Sequence, residues 1–175
     1  MFAAEIRKRR VAQMRGYPQW RWHLDEAFVK VNGELRYLWR VVDHEGEVLE
    51  AVVTTTRDKA AALKLLKRVM KKYGRPRSVV TDGLCSYSTA MNAIGAADRH
   101  EVGGRLNNRA ENAHQPFRRR ERAMQRFRST RRLQKFSSVH AQVHNHFNQE
   151  RHLVARQLYK QRRSAALAEW RSLVG

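Results

Sequence analysis

Residues 20–53 read WRWHLDEAFVKVNGELRYLWRVVDHEGEVLEAVV, and this stretch decides the fold because it contains three apolar runs separated by two turn signals. Asn32-Gly33 lies between the first two runs, and Asn-Gly between alternating apolar segments is the strongest short-range signal for a β-hairpin. The sequence DHEG at 43–46 supplies the second turn. The stretch therefore predicts a three-stranded antiparallel meander, with Asp25 in its first strand.

A helix and a buried strand are predicted after the meander. Apolar residues recur at three- and four-residue steps between positions 62 and 73, which is typical of an amphipathic helix. The short run SVV at 78–80 indicates a buried strand that ends at Thr81-Asp82. A short helix near residues 87–94 follows, and glycines then break the chain.

Three further helices are predicted in the second half of the chain. The first begins at Asn107 or Asn108, a favoured N-cap residue, and Pro116 is expected to bend or interrupt it. The second covers residues 133–147, and the last runs from Ser164 to near position 173. Three strands, a helix, a fourth strand and then only helices predict an α/β fold with a mixed sheet.

The chain is strongly basic. Its 175 residues carry 36 Lys and Arg against 16 Asp and Glu, a formal charge of +20, and 42% of them are hydrophobic, which suits one domain with a real core. Self-repulsion of this size indicates a polyanionic partner, with nucleic acid first and an anionic membrane surface second. No apolar run approaches the roughly 18 residues of a spanning helix, so we expect a cytoplasmic protein.

Three carboxylates occupy positions at which they could bind divalent metal ions together. Asp25 lies in the first strand, Asp82 at the end of the fourth, and Glu111 near the start of a helix that could cross the sheet. Hard cations such as Mg²⁺ prefer carboxylate oxygens, and two such ions can drive phosphodiester chemistry. Glu26 follows Asp25 directly and is expected to point to the opposite strand face, so we leave it out of the set.

Several short motifs together resemble a known family. They are WHLDE at 22–26, YLWRVVD at 37–43, VVTDG at 79–83, NNRAEN at 107–112 and FRRRER at 117–122. In these motifs the chain is similar to bacterial insertion-sequence DDE transposases of the cointegrate-forming branch. The resemblance implies an RNase H-like fold, in which three antiparallel strands are followed by parallel strands and flanked by helices. It also implies that Asp25, Asp82 and Glu111 form a catalytic triad that binds two Mg²⁺ or Mn²⁺ ions.

The resemblance implies the activity and the partners as well. We expect metal-dependent phosphodiester hydrolysis and DNA strand transfer, by a homodimer or higher assembly on transposon ends and target DNA, associated with a bacterial nucleoid. Ten arginines lie between positions 105 and 132, and arginine grips phosphate with a forked guanidinium. The residues predicted to bind DNA are Asn107, Asn108, Arg118, Arg119, Arg120, Arg122 and Arg126.

The expected organisation is a basic arm at 1–19, a catalytic domain at 20–132 and a helical extension at 133–175 that packs on the same domain. Such transposases usually carry a helix-turn-helix domain ahead of the catalytic part, whereas only 24 residues precede Asp25. A shortened copy is therefore expected. One alternative is a transposition-inactive remnant that only binds DNA, and another is an RNase H-like nuclease without strand transfer.

The remaining histidine, cysteine and acidic side chains are expected to have structural and not catalytic roles. A zinc site at His140, His144 and His146 is disfavoured because no Cys or carboxylate is spaced to complete it. Asp43 suits its turn for backbone reasons alone. The remaining expectations are a buried thiol at Cys85 and a solvated loop containing Asp98 and Glu101.

Overall fold

The fold is built on one mixed sheet, seen in a computed structural model that describes residues 21–124, 127–147 and 155–174, together with Lys8. The strands are β1 (Arg21–Val31), β2 (Glu34–Val42), β3 (Val48–Thr54), β4 (Ser78–Thr81) and β5 (His100–Val102). In the described ranges the longer helices are α1 (Lys59–Tyr73), α2 (Cys85–Ala93), α3 (Asn108–Ala123), α4 (Thr130–Phe147) and α5 (Arg156–Val174).

The sheet order is β3-β2-β1-β4-β5, with antiparallel pairing among β1, β2 and β3 and parallel pairing of β1 with β4 and of β4 with β5. The predicted meander is confirmed. Its first turn has positive φ angles at both Asn32 (50°) and Gly33 (83°), as a two-residue type I′ hairpin loop requires. The arrangement is the RNase H-like α/β fold that the resemblance implied.

Helices cover both faces of the sheet. On one face Trp22 and Leu24 of β1 pack with the buried stripe of α1 and with α2. On the other face Val29 and Val31 pack against Phe117 of α3 and against α4. Because side chains alternate along a strand, Asp25 belongs to the α3 face and Glu26 to the α1 and α2 face.

The fifth strand corrects the expectation of a loop at Glu101, whereas Asp98 lies before the strand and is exposed as expected. β5 pairs with β4, with Val80 beside Glu101, instead of forming a solvated loop. Glu101 accepts a hydrogen bond from the guanidinium of Arg21 at 2.7 Å, so a partner distant in sequence holds it. Three residues followed by two glycines carry too little apolar periodicity to reveal such a strand.

Two helices also differ from expectation. α3 is not interrupted at Pro116, which lies on a partly exposed side of the helix where the carbonyl that loses its donor can reach water, and the expected bend stays a prediction. α5 begins at Arg156 instead of Ser164, because its first two turns are polar and mostly exposed and so carry no apolar stripe. Cys85, expected to be buried, is exposed at the start of α2.

Parts of the predicted organisation stay predictions. Apart from Lys8, the arm at 1–19 lies outside the described residues, as does Arg126. α4 packs against β3 and α5 against α4, while the division of the chain at residue 132 remains untested. Across the described ranges, no helix combines the length and the hydropathy needed to cross a bilayer.

Candidate active site

The site begins where β4 ends beside β1. In the parallel register of these strands Trp22 pairs with Val79 and His23 with Val80. Continuing this register for two residues brings Asp82 level with Asp25. Oxygen atoms of Asp25, Glu26 and Asp82 all lie within 4.8 Å of one another. The two predicted aspartates are therefore brought together, and a third carboxylate joins them.

Glu26 points to the opposite strand face, as predicted, and the structure nevertheless brings its carboxylate beside the two aspartates. β4 stops at Thr81 while β1 continues to Val31, so β1 runs on beyond the end of its parallel neighbour. Asp82 lies just past that end, where side chains from both faces of β1 can approach it. The period-two pattern gives the face of Glu26 but does not reveal that the neighbouring strand ends there.

Hydrogen bonds hold both oxygens of the Glu26 carboxylate. The Tyr87 hydroxyl of α2 donates to Oε2 at 2.7 Å, and Arg57 Nε donates to Oε1 at 2.6 Å. The Glu26 side chain is only 2% exposed. Burial raises the pKa of Glu26, and these two hydrogen bonds lower it in part. Glu26 is therefore fixed in place beside the two aspartates.

Helix α3 is anchored over the same part of β1. The Asn107 side-chain amide, fully buried before the first turn, donates to the Leu24 carbonyl at 2.8 Å. One turn beyond Glu111, His114 Nε2 lies 3.4 Å from Asp25 Oδ2, a close contact whose geometry falls short of a hydrogen bond. These contacts set the position of α3 relative to Asp25.

Glu111 lies between the two anchors. It is four residues after Asn107 and three before His114, so all three fall on one side of α3. Glu111 is exposed in the first helical turn and is not within the 4.8 Å carboxylate group. The structure thus places Glu111 on the helix that borders the site, while Asp25 and Asp82 form its centre.

His114 is a site residue that the sequence reasoning missed. The available signal was its spacing, because it follows Glu111 by one helical turn and so shares its side of the helix. Burial lowers the pKa of His114, while the Asp25 carboxylate raises it in part. The ring is therefore neutral near pH 7, so Asp25 contacts an imidazole and not a full positive charge.

A buried cation lies beneath α3. Arg40 of β2 pairs with Asp25 in the β1 register and is 0% exposed. Its Nη1 donates to the Ala113 carbonyl, and its guanidinium carbon lies 5.5 Å from the centre of the Phe117 ring. Within the described residues its Nε and Nη2 have no hydrogen-bond partner, and burial lowers the pKa of Arg40 to about 10.

The backbone after β4 presents Asp82 to solvent. Asp82 is exposed, and its Oδ1 accepts a hydrogen bond from the Leu84 backbone N–H at 3.2 Å. The following Gly83 has a φ of +96°, a left-handed conformation that other residues rarely adopt. A Cβ at Gly83 would lie 3.1 Å from a methyl carbon of Val102 in β5. Asp82 therefore depends on a turn that requires glycine.

The predicted DNA-binding residues occupy different environments. Arg118 is partly exposed and forms an ion pair with Glu121 at 2.7 Å. Asn107 is buried, as described above. Asn108 and the remaining arginines of this set in α3 lie at the surface, namely Arg119, Arg120 and Arg122.

Two side-chain groups outside the carboxylate site were given structural interpretations, namely the histidines of α4 and Asp43. The rings of His140 and His144 stack with centres 5.9 Å apart, and His140 also packs against Phe117 and Phe136. Among the described residues, the histidines contribute to no group with metal-ligand spacing. Asp43 is buried, and its Oδ1 accepts backbone hydrogen bonds within its own turn, as predicted.

Comparisons with known proteins identify the family of the chain. The DDE domain family of IS240-type transposases matches residues 19–150. The chain is 34% identical over 100 residues to the transposase of the insertion sequence-like element IS431mec of Staphylococcus aureus, a match that covers 54% of this chain and 45% of the relative. The transposase of IS257 in transposon Tn4003 of the same organism gives the same figures. The chain thus spans less than half the length of these relatives.

Two solved structures match about half of the chain at low sequence identity. A chain of the simian T-cell lymphotropic virus intasome in complex with PP2A regulatory subunit B56 gamma is 20% identical, with a TM-score of 0.46, over 55% of this chain and 37% of that chain. The HTLV-2 integrase catalytic core in complex with magnesium is 14% identical, with a TM-score of 0.41, over 49% and 61%. The family match extends over most of the chain. The chain therefore belongs to the DDE domain family of IS240-type insertion-sequence transposases.

Proposed function

We propose that this chain is the catalytic part of a DNA transposase that performs metal-dependent phosphodiester hydrolysis and strand transfer. The observation that carries the proposal is the convergence of Asp25 and Asp82 at the point where β1 runs past the end of β4. Glu111 completes the proposed catalytic triad from α3, the helix that Asn107 and His114 anchor to β1.

The donor set suits hard divalent cations. Carboxylate oxygens from separate elements lie within 4.8 Å of one another, and Mg²⁺ and Mn²⁺ favour such ligands. We propose that Asp25, Asp82 and Glu111 hold two ions. When bound, such ions activate an attacking oxygen and stabilise the leaving oxygen of a phosphodiester.

Neighbouring side chains have positioning roles in this proposal. Glu26 has both oxygens engaged by Tyr87 and Arg57, so it adds negative charge beside the aspartates and is less free to act as a ligand. His114 packs against Asp25 in its neutral form, which limits the carboxylate's movement without neutralising its charge.

The proposed substrate is DNA. The formal charge of +20 favours a polyanion, and exposed arginines follow Glu111 along α3. We propose that these side chains bind backbone phosphates, and that the protein acts as a homodimer or higher assembly on transposon ends and target DNA. The proposed phosphate-binding set is Asn108, Arg118, Arg119, Arg120, Arg122 and Arg126.

A strand-cleavage and joining assay tests the proposal. The purified chain is incubated with labelled oligonucleotides that carry the ends of its own element, with Mg²⁺ or Mn²⁺ or with chelator. We expect nicking and joining only with metal. Asp25→Asn and Asp82→Asn should abolish both reactions while leaving DNA affinity within about twofold. Asp98→Asn is the matched control, because Asp98 is an exposed aspartate outside the carboxylate group.

The outcomes separate the three functional hypotheses. Metal-dependent nicking and joining, lost in both active-site variants and kept in Asp98→Asn, support the transposase. Nicking without joining would favour a nuclease. DNA binding without any metal-dependent reaction would favour the DNA-binding remnant and would refute the catalytic role of Asp25 and Asp82.

A further inference from the structure

A second polar cavity lies beside α3. It has a volume of about 790 Å³ and is bordered by the start of β1, the turn between β2 and β3, the chain before α3, and α4. From α3 it is lined by Asn108, Arg109, Asn112 and Pro116, among others. Its size is in the range of pockets that hold small ligands.

Helix α3 separates this cavity from the carboxylate group. Arg109, Asn112 and Pro116 follow one another at three- and four-residue steps and share one side of the helix. Glu111 and His114 share another row, which at about 100° per residue lies roughly opposite the first. The cavity is therefore a separate site and not an extension of the cluster around Asp25 and Asp82.

The lining is suited to an anion. Arg21, Arg105 and Arg109 contribute guanidinium groups, whereas Glu45 is the one carboxylate among the described lining residues. The side-chain amides of Asn108 and Asn112 add neutral hydrogen-bond donors. Phosphate oxygens accept bonds from both kinds of group, and guanidinium can bind them in a bidentate manner.

A buried histidine also borders the cavity. His23 lines the cavity and is only 6% exposed, and its Nδ1 has no hydrogen-bond partner among the described residues. Arg21, two residues earlier, already donates to Ser78 and Glu101, so it is held in place at the rim. The site is therefore partly organised before any ligand binds.

We propose that this cavity binds a backbone phosphate of nucleic acid, at a site separated by α3 from the strand that meets the carboxylates. A protein that joins two DNA segments needs contacts to both, and the two sides of α3 offer two binding surfaces. The choice of nucleic acid as the ligand rests on the proposed function. Phosphate binding in the cavity requires neither Asp25 nor a metal.

The test is DNA binding by Arg105→Gln/Arg109→Gln in the presence of chelator. Affinity for a DNA duplex is measured by fluorescence anisotropy over a series of salt concentrations. Loss of the contact to this one phosphate should reduce the slope of log K against log salt by about 0.9, and should weaken binding at 0.1 M salt by on the order of tenfold. The matched control is Lys64→Gln/Lys67→Gln, which removes the same charge from the exposed side of α1, on the other face of the sheet.

Each outcome bears on the inference. A reduced slope in the arginine variant and an unchanged slope in the lysine variant support it. Equal losses in both variants would show only a general charge effect and would overturn it, as would wild-type binding by the arginine variant. If inorganic pyrophosphate binds the wild type but not the arginine variant and leaves duplex binding unchanged, the cavity binds a free anion and the nucleic-acid assignment is wrong. Absence of duplex binding by the wild type would instead refute the proposed function.

Discussion

Replacing the buried Arg40 by methionine should stabilise the fold. Burial lowers the pKa of Arg40 from its ordinary value to about 10, so the charged form is disfavoured in the folded chain relative to the unfolded chain. This cost is fully present below pH 10 and is relieved only as the pH rises from about 10 towards the ordinary pKa of an arginine. It therefore acts at every pH at which the protein would be studied.

The size of the effect follows from these values. A pKa difference of this kind corresponds to about 3 kcal/mol, since one unit is about 1.4 kcal/mol. Against it stand a hydrogen bond to the Ala113 carbonyl, about 1 kcal/mol, and the contact with the Phe117 ring, also about 1 kcal/mol. Methionine fills much of the same volume without a charge. We therefore expect Arg40→Met to raise the free energy of unfolding by about 1 kcal/mol.

Urea denaturation measures this change, and imidazole titration by NMR provides an independent second result. Arg40 is among the charges that lower the pKa of His140 and His144, so both values should rise in the variant. Arg40→Ala is the control, because it removes the same charge but leaves a cavity that should cost about 2 kcal/mol or more.

This reasoning would be refuted if Arg40→Met lowered the free energy of unfolding by more than about 1 kcal/mol while the slope of that free energy against urea concentration stayed unchanged. Such a result would mean that the Arg40 charge is compensated by a favourable interaction. Unchanged titration of both histidines would show that the guanidinium does not act on them.

Three further predictions concern the site and its supports. Gly83→Ala should lower the free energy of unfolding by about 1 kcal/mol or more, because alanine would have to adopt a left-handed φ and would contact Val102; thermal unfolding measures this loss. The same variant should displace Asp82 and so slow strand cleavage in the nicking assay. Asn107→Ala should destabilise the chain by about 1 to 3 kcal/mol, because the buried Leu24 carbonyl loses its amide donor, whereas an unchanged urea midpoint would contradict this anchoring role. The pKa of His140 falls from 6.5 to about 4 on folding, so the unfolded chain takes up the proton first as the pH drops from 6.5 to about 4. The free energy of unfolding should therefore decrease by about 2 kcal/mol over this range. In urea titrations at successive pH values, His140→Gln should reduce this loss of stability at acid pH.

Much of the central sheet could be predicted from local sequence. Asn32-Gly33 fixes a two-residue turn, and the alternating apolar runs on either side leave one register that buries them. The run before Asp82 is short and apolar and ends at a glycine that takes a positive φ, so its end was also readable. These features depend on residues close together in the chain.

The missed features depend on contacts between distant residues. β5 exists because β4 offers a free edge and because Arg21, about 80 residues away, pairs with Glu101. Glu26 lies beside the aspartates because β4 ends at a point where β1 continues. This offset between the ends of two paired strands cannot be predicted from the sequence of either strand alone. His114 had a readable spacing, but its contact with Asp25 depends on how α3 lies across the sheet.

Metal binding tests the central claim most directly. Bound Mn²⁺ can be counted by electron paramagnetic resonance on the full chain with a DNA duplex present. Two ions per chain are predicted for the wild type, with binding weakened at least tenfold in Asp25→Asn, Asp82→Asn and Glu111→Gln and kept in Asp98→Asn. Wild-type Mn²⁺ binding in all three of the site variants would contradict the account.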